Sequence, residues 1–375
     1  MNTLRFPRTS AVMGEGTHSR EIAHLGEPLR EQRRLSMGKA VADLSATRIL
    51  RLTGPDRLTW LNSITTQKID DLAAGTSTET LVLSPTGHIE FWLRLHEDGE
   101  ALWVLSELDT DGAQDFLLKM RFMMRVEIED VSDTFQAIGV IGEPPRSLPA
   151  ALVWNDPWPH IGAGSASYAH LDAGMPVASP DHPGTDVDLR IVVAPSTDLA
   201  DWDPAAAGVE VAGRDAWDAL RIEAWRPGAA DVDHKALVGE LDVLRTAVHL
   251  SKGCYRGQEA VARVHNLGQT PRRLVFLHLD GSGHSLPSAG ASVRAEVRGA
   301  EREVGTLTSV ALHHELGPVA LALVKRTLAE DAELTVDGPD GEERIAASAE
   351  TVVVTARENR TRIPGRNRET DMRAR

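Results

Sequence analysis

The strongest constraint on the fold is a run of strict alternation, in which Ile89, Phe91, Leu93 and Leu95 are apolar at every second position. A period of two places these side chains on one face of a strand, so one face of the resulting sheet is expected to be buried. Turn residues bound the run on both sides, Ser84-Pro85-Thr86-Gly87 before it and Asp98-Gly99 after it. With Thr80–Leu83 and Leu102–Leu105 as flanking strands, the segment reads as a β-meander. Ahead of it, a strand Ile49–Leu52 is followed by the break Gly54-Pro55-Asp56 and then by Leu58, Leu61 and Ile64 at helical spacing, with Pro55 and Asp56 where helix starts favour them. Behind it, Phe116, Met120 and Met123 share a helix face, and strands are expected near Val126–Ile128 and Phe135–Ile141. A sheet with helices on one side is an α+β layer.

At 375 residues the chain is long enough for two or three cores. Residues 1–37 read as an N-terminal extension with no apolar stretch of the kind a signal peptide needs, and residues 38–142 as the first α+β part. Residues 143–187, rich in proline and glycine, read as a long irregular connection. Order resumes in a second α+β part, 188–269, with a strand Leu189–Val193 and a helix from about Asp215 whose Trp217, Leu220 and Ala224 share a face before Pro227-Gly228 stops it. The stretch 270–356 is expected to be a small β-barrel of strands Leu274–Leu279, Ala291–Val297, Val304–Ser309, Val319–Lys325 and Thr351–Thr355. Residues 357–375 carry seven arginines without apolar periodicity and read as a disordered basic tail.

The net charge of −15 repels phosphate backbones and anionic lipid, which makes nucleic acid an unlikely main ligand. No apolar run is long enough for a spanning helix, so no membrane partner is expected. One cysteine cannot form an internal disulfide, and a lone thiol suits a reducing, cytoplasmic compartment. Nor can it furnish the thiolates of a usual iron–sulfur cluster, and no zinc, phosphate-loop or dinucleotide fingerprint is present. His313 and His314 adjoin before Gly317-Pro318 and read as surface residues.

The chemistry concentrates in Lys252-Gly253-Cys254-Tyr255-Arg256-Gly257-Gln258-Glu259. Two glycines bracket a thiol whose neighbours Lys252 and Arg256 are cationic, surroundings that favour a reactive thiolate, with Tyr255 adding an aromatic face. A cysteine acting as a small buried hydrophobe is the other reading of the same residues. His234, His249 and His265 are each candidates for a partner base, and spacing does not choose among them.

This segment resembles the signature of YgfZ proteins, folate-binding relatives of the glycine cleavage T protein that support iron–sulfur enzymes. The resemblance extends to Leu220-Arg221-Ile222-Glu223-Ala224 with Asp231-Val232-Asp233, and to Trp60-Leu61-Asn62-Ser63-Ile64-Thr65-Thr66-Gln67, covering roughly residues 38–355. It implies a three-part ring of mixed sheets and helices around a folate cavity, with the barrel at the C-terminal end. It also implies tetrahydrofolate or a one-carbon derivative as cofactor, and iron–sulfur proteins or their assembly factors as partners. Cys254, with Lys252 and Tyr255, is implied as the catalytic group. Glu223 matches the family's pterin-contacting glutamate, a role that suits one carboxylate accepting from a ring N–H and an amino group together. Arg226, Arg245, Lys252 and Arg256 are candidates for the folate's anionic tail, Gln258 joins the expected binding set, and Trp225 either stacks on the flat ligand or fills the core. Two departures stand out. Where T proteins carry an aspartate pair for aminomethyl transfer, this chain reads Gly87-His88-Ile89-Glu90, and the glycine after Leu-Glu-Ala is Trp225. Three functions therefore stay open: a folate-binding accessory factor for iron–sulfur proteins acting through the thiol, a folate-dependent aminomethyltransferase or demethylase, and a folate-sensing interaction module without chemistry.

Overall fold

The structure, a computed structural model, describes residues 11–14, 19, 21–107, 110–169, 182–267 and 270–354, with the backbone alone at 110, 111 and 267. The chain opens with a two-stranded ribbon, β1 (Val12–Met13) and β2 (Ile22–His24), and a helix α1 (Pro28–Ser36) started by proline in its first turn. Glu31, Gln32 and Leu35 of α1 are buried, so this helix is part of the body. The stretch read as an extension thus contributes to the packing through Ala11, Ile22 and α1, because α1 is amphipathic over a short span that isolated pattern reading passed over.

The first lobe is a five-stranded sheet. After β3 (Ala40–Asp43) come β4 (Arg48–Thr53), α2 (Arg57–Ile64), β5 (Thr76–Leu83), β6 (Ile89–Glu97), β7 (Leu102–Ser106), α3 (Thr110–Met120) and β8 (Glu127–Asp130), in the sheet order β5-β6-β7-β4-β8. The expected meander is present in register, Thr80 opposite Leu93 and Leu95 opposite Val104. Its alternating residues Phe91, Leu93 and Leu95 pack on Trp60, Leu61 and Leu117 of the two helices. The other face is also covered: Trp103 and Leu105 meet Trp154 and Trp217, while Trp92 joins the central core. The expectation of one buried face is corrected here, because large aromatic side chains fill the alternate positions and a second layer lies against them.

That layer is the second sheet, β10-β11-β9-β3-β12, formed with β9 (Phe135–Ile141), β10 (Leu152–Asn155), β11 (Leu189–Pro195) and β12 (Glu210–Ala212), the last following α4 (Ser196–Asp201). The proline-rich stretch is thus not a bare connection. It supplies β10, which pairs antiparallel with β11, and buries Trp154 and Trp158.

Helix α5 (Arg214–Glu223) then crosses between the sheets and the barrel, and α6 (Leu244–Ala247) and α7 (Gln258–Leu267) frame the motif. The closed barrel follows in the order β13-β16-β15-β14-β17-β18, from β13 (Arg272–Leu279), β14 (Ser292–Val297), β15 (Ala300–His313), β16 (Gly317–Lys325), β17 (Leu334–Asp337) and β18 (Arg344–Thr351). Its interior is lined by Val275, Leu277, Val293, Leu307, Ala322 and Val336. Its outer face, through Leu274, Phe276, Val319 and Leu321, joins a central core with Ile222, Val238, Leu241 and Tyr255. The last strand was expected at Thr351–Thr355 and instead ends at Thr351, and β17 was not anticipated. β18 is rich in Ala, Ser and Glu, with weak strand preference, and β17 is only four residues long; both are held by closure of the barrel. The arginine-rich tail lies outside the described residues.

Candidate functional site

The motif loop is built around Lys252. Its side chain turns inward from the end of α6, and the ammonium donates to the carbonyl oxygens of Asn62 (2.6 Å), Thr65 (2.7 Å) and Gln67 (2.7 Å). These carbonyls sit at the C-terminal end of α2, where the helix dipole is negative. The Tyr255 ring lies 5.5 Å from the same ammonium. Burial pulls Lys252 down to about 8, and the three carbonyls favour its charged form at neutral pH. Tyr255 is itself buried in the central core, and burial pushes its hydroxyl up to about 12. Gln258, the first residue of α7, donates to the Lys252 carbonyl at 3.3 Å and closes the loop. The Thr65-Thr66-Gln67 end of α2 delivers the chain to this point: Thr66 Oγ1 donates to the Ala247 carbonyl at 2.5 Å, and the Gln67 amide to that of Thr246 at 2.7 Å.

Cys254 stands on the rim of this loop, exposed, and makes no hydrogen bond to any described residue. The two cations that flank it in sequence are engaged elsewhere. Lys252 is bound to α2, and Arg256 forms a two-point pair with Glu90 of β6 at 2.9 and 3.1 Å. The expectation that these cations act on the sulfur is corrected by this geometry, since both are committed to partners on other elements. None of the three candidate histidines hydrogen-bonds the sulfur: His265 Nδ1 lies 2.6 Å from the Tyr168 hydroxyl, His249 Nδ1 accepts from Ser251 N–H, and His234 is exposed.

Glu223 ends α5 and keeps a third of its side chain exposed. One oxygen, Oε2, lies 3.1 Å from Nε2 of His313. His313 is 2% exposed, which corrects its reading as a surface residue; it is the last residue of β15 and lies against the end of α5. Two residues on, Trp225 takes the left-handed conformation (φ 52°), which accounts for a glycine at this point in T proteins. Its ring meets His182 edge-on at 5.5 Å, and His182 in turn meets Trp158. Gly184 N–H donates to His182 Nδ1, and burial pulls this ring down to about 3, with the Arg245 charge adding to the effect.

Arg226 and Arg245 are not free cations. Arg226 is 3% exposed and pairs with Glu79 and Asp156, its guanidinium between the rings of Trp92 and Trp158. Burial pushes Asp156 up. The same burial opposes ionisation of Glu79, but the guanidinium prevails and holds Glu79 below the usual range. Arg245, 1% exposed, donates to Asp242, Ser167 and the Pro159 carbonyl. A buried cation requires such partners, so neither is available to a ligand's carboxylate. What a folate could use here is thus narrowed: Glu223 keeps an exposed carboxylate of the kind a pterin's ring N–H and amino group would pair with, whereas the proposed tail cations are reduced to Arg256, already paired at the surface.

Sequence reasoning missed His313, His182, Glu79 and Asp156. Glu79 carried a usable signal, a carboxylate inside the apolar strand Thr76–Leu83, since such a group must find a cation. The histidines carried none. Among the described residues no group of three or more His, Cys, Asp or Glu is placed to hold a metal, and no helix is long and apolar enough to cross a membrane.

Residues 272–354 match the glycine cleavage T-protein C-terminal barrel domain. The chain is 27% identical over 284 residues to a putative chloroplastic transferase of Arabidopsis thaliana, a match spanning 72% of this chain but 62% of the plant protein. It is 25% identical over 296 residues to the tRNA-modifying protein YgfZ of Yersinia pestis, covering 77% of this chain and 85% of that one. In structure it is similar to aminomethyltransferase T of the glycine cleavage system from Bartonella henselae, with a TM-score of 0.67 over 93% of this chain and 94% of that one at 16% identity. The resemblance drawn from the Cys254 motif is thereby borne out as a likeness: the chain is similar to YgfZ proteins in sequence and to the T protein in fold, with mixed sheets, few helices and a closed C-terminal barrel.

Proposed function

We propose that this protein binds a reduced folate, with Glu223 accepting from the pterin, and presents Cys254 as an exposed thiol in the service of iron–sulfur proteins. The observation that carries the reading is the mounting of the motif. Lys252, Tyr255 and Gln258 are spent on anchoring a loop whose one reactive atom, the Cys254 sulfur, is left exposed and unpartnered among the described residues. A side chain so held is preorganised at little entropic cost when a partner arrives. Folate, when bound, supplies a carrier for one-carbon units; the chain's own contribution is to orient the pterin and to hold the thiol. The name of the Yersinia relatives suggests tRNA modification as the process served. With a net charge of −15 we place that link in the enzymes supported, not in direct RNA contact.

Aminomethyl transfer is the weaker reading. Glu90, the one carboxylate near the position of the absent aspartate pair, is bound by Arg256 at both oxygens, and so is already committed to an ion pair. Replacement of Cys254 by serine separates the readings. The variant is expected to keep its melting temperature and its affinity for tetrahydrofolate and to lose support of iron–sulfur enzyme activity in cells lacking the native protein. Full support by the serine variant would remove the thiol from the function.

A further inference from the structure

We propose that His313 is a positioning residue for Glu223, so that the C-terminal barrel and helix α1 together aim the carboxylate that meets the pterin; this rests on the folate reading above. The argument begins with the imidazole's other nitrogen. Nδ1 of His313 accepts from the backbone N–H groups of Glu315 (3.2 Å) and Leu316 (3.1 Å). A ring nitrogen that receives two donors carries no proton, which assigns the proton to Nε2 and makes it the donor to Glu223 Oε2 at 3.1 Å.

The two partners differ sharply in exposure. The His313 side chain is buried at 1%, whereas Glu223 keeps 33%, so one carboxylate oxygen is tied inward and the other is left open. A neutral donor suits this task. It fixes the carboxylate's rotamer without neutralising the charge the pterin's N–H and amino groups would use, which a lysine or arginine in its place would do.

His313 is held in turn from α1. Gln32, 2% exposed, receives the His314 N–H (2.6 Å) and lies 2.8 Å from His314 Nδ1, while its amide donates to the Leu312 carbonyl at 3.2 Å. The turn from Leu312 to Leu316 is thus fixed on both sides of the histidine, and an element at the start of the chain orients a residue of the barrel against the end of α5. A purely structural histidine would need no ligand-facing partner with an open oxygen.

The test uses the full chain, tetrahydrofolate as the probe, and His313→Ala, His313→Gln, Glu223→Gln and the His313→Ala/Glu223→Gln double variant. His313→Ala is expected to weaken binding about three- to tenfold. His313→Gln, which can still offer an N–H, should recover part of that, and the double variant should bind no more weakly than Glu223→Gln alone. Equal losses from His313→Ala in both backgrounds, or none in the wild-type background, overturn the proposal while leaving the pterin reading intact. An unchanged affinity in Glu223→Gln overturns the pterin reading and the proposal with it. If His313→Ala does not fold, nitrogen NMR of the wild-type protein decides: the Nε2–H tautomer, with its resonance shifted by folate, supports the proposal, and the Nδ1–H tautomer or an unmoved resonance overturns it.

Discussion

At Trp225 the backbone occupies the left-handed region (φ 52°), which costs a residue with a Cβ about 1–2 kcal/mol relative to glycine. Trp225→Gly relieves that strain and Trp225→Ala does not, while both lose the same indole packing on His182. We therefore predict the glycine variant to be the more stable of the two by about 1 kcal/mol in urea unfolding, reversing the usual order. Equal stabilities, or a more stable alanine variant, would show that the strain is absent. Lys252 offers a second test at this scale. Lys252→Met strips a charged donor from three carbonyls, at an expected cost of about 2–3 kcal/mol, and a midpoint within error of wild type would deny the ammonium its anchoring role. Both residues were visible in the sequence, Lys252 inside the motif and Trp225 as a departure from the family's glycine. Their actual duties were not legible, because a cation's partner and a residue's φ are set by chain segments nearly 200 positions away or by the turn itself.

The elements around the motif separate its two glycines by function. Gly257 has φ 82°, and a Cβ there would lie 2.6 Å from the Ser84 carbonyl oxygen, so the turn before β6 and the start of α7 can approach only over a bare backbone. At Gly253 the φ is not in the left-handed region and a Cβ would meet nothing within 4 Å. Gly257→Ala should lower the melting temperature by several degrees, and Gly253→Ala should leave it unchanged or raise it slightly through the unfolded chain. Comparable losses at both positions would contradict the placement of the loop. The meander, α2, α5 and four barrel strands were readable because their apolar period matches their burial. β10, β17 and β18 were not, since prolines and small polar residues hide strands whose pairing partners do the specifying.

Across the whole molecule, buried charge clusters hold the parts together. Arg214 joins Glu107 of the first lobe to Asp218 of α5, and Arg221 joins Asp218 to Asp231, which accepts from Ser309 of the barrel. Burial opposes ionisation of Asp218, yet Arg214 and Arg221 hold it at about 2, below its ordinary 3.8. A carboxylate depressed on folding stabilises above its unfolded value and loses that contribution as pH falls through its folded one. Asp218 alone should therefore remove about 2 kcal/mol between pH 4 and 2, with Glu107 adding in the same direction. Asp215, which burial raises to about 6, acts in the opposite sense above pH 4, so the test is the difference in urea midpoint between wild type and Asp218→Asn: it should shrink as pH falls from 4 to 2, and a difference that does not change would mean the clusters do not carry the junction. The three-part plan and its barrel could be inferred from the motif's resemblance, whereas the joints between parts could not, because each pairs residues that no local pattern relates. The account as a whole is tested most directly by calorimetric titration of the full chain with tetrahydrofolate while iodoacetamide reports on Cys254. It predicts saturable binding together with ready alkylation of Cys254 in the native protein; an absence of binding, or a Cys254 that resists iodoacetamide in the native protein, would contradict it.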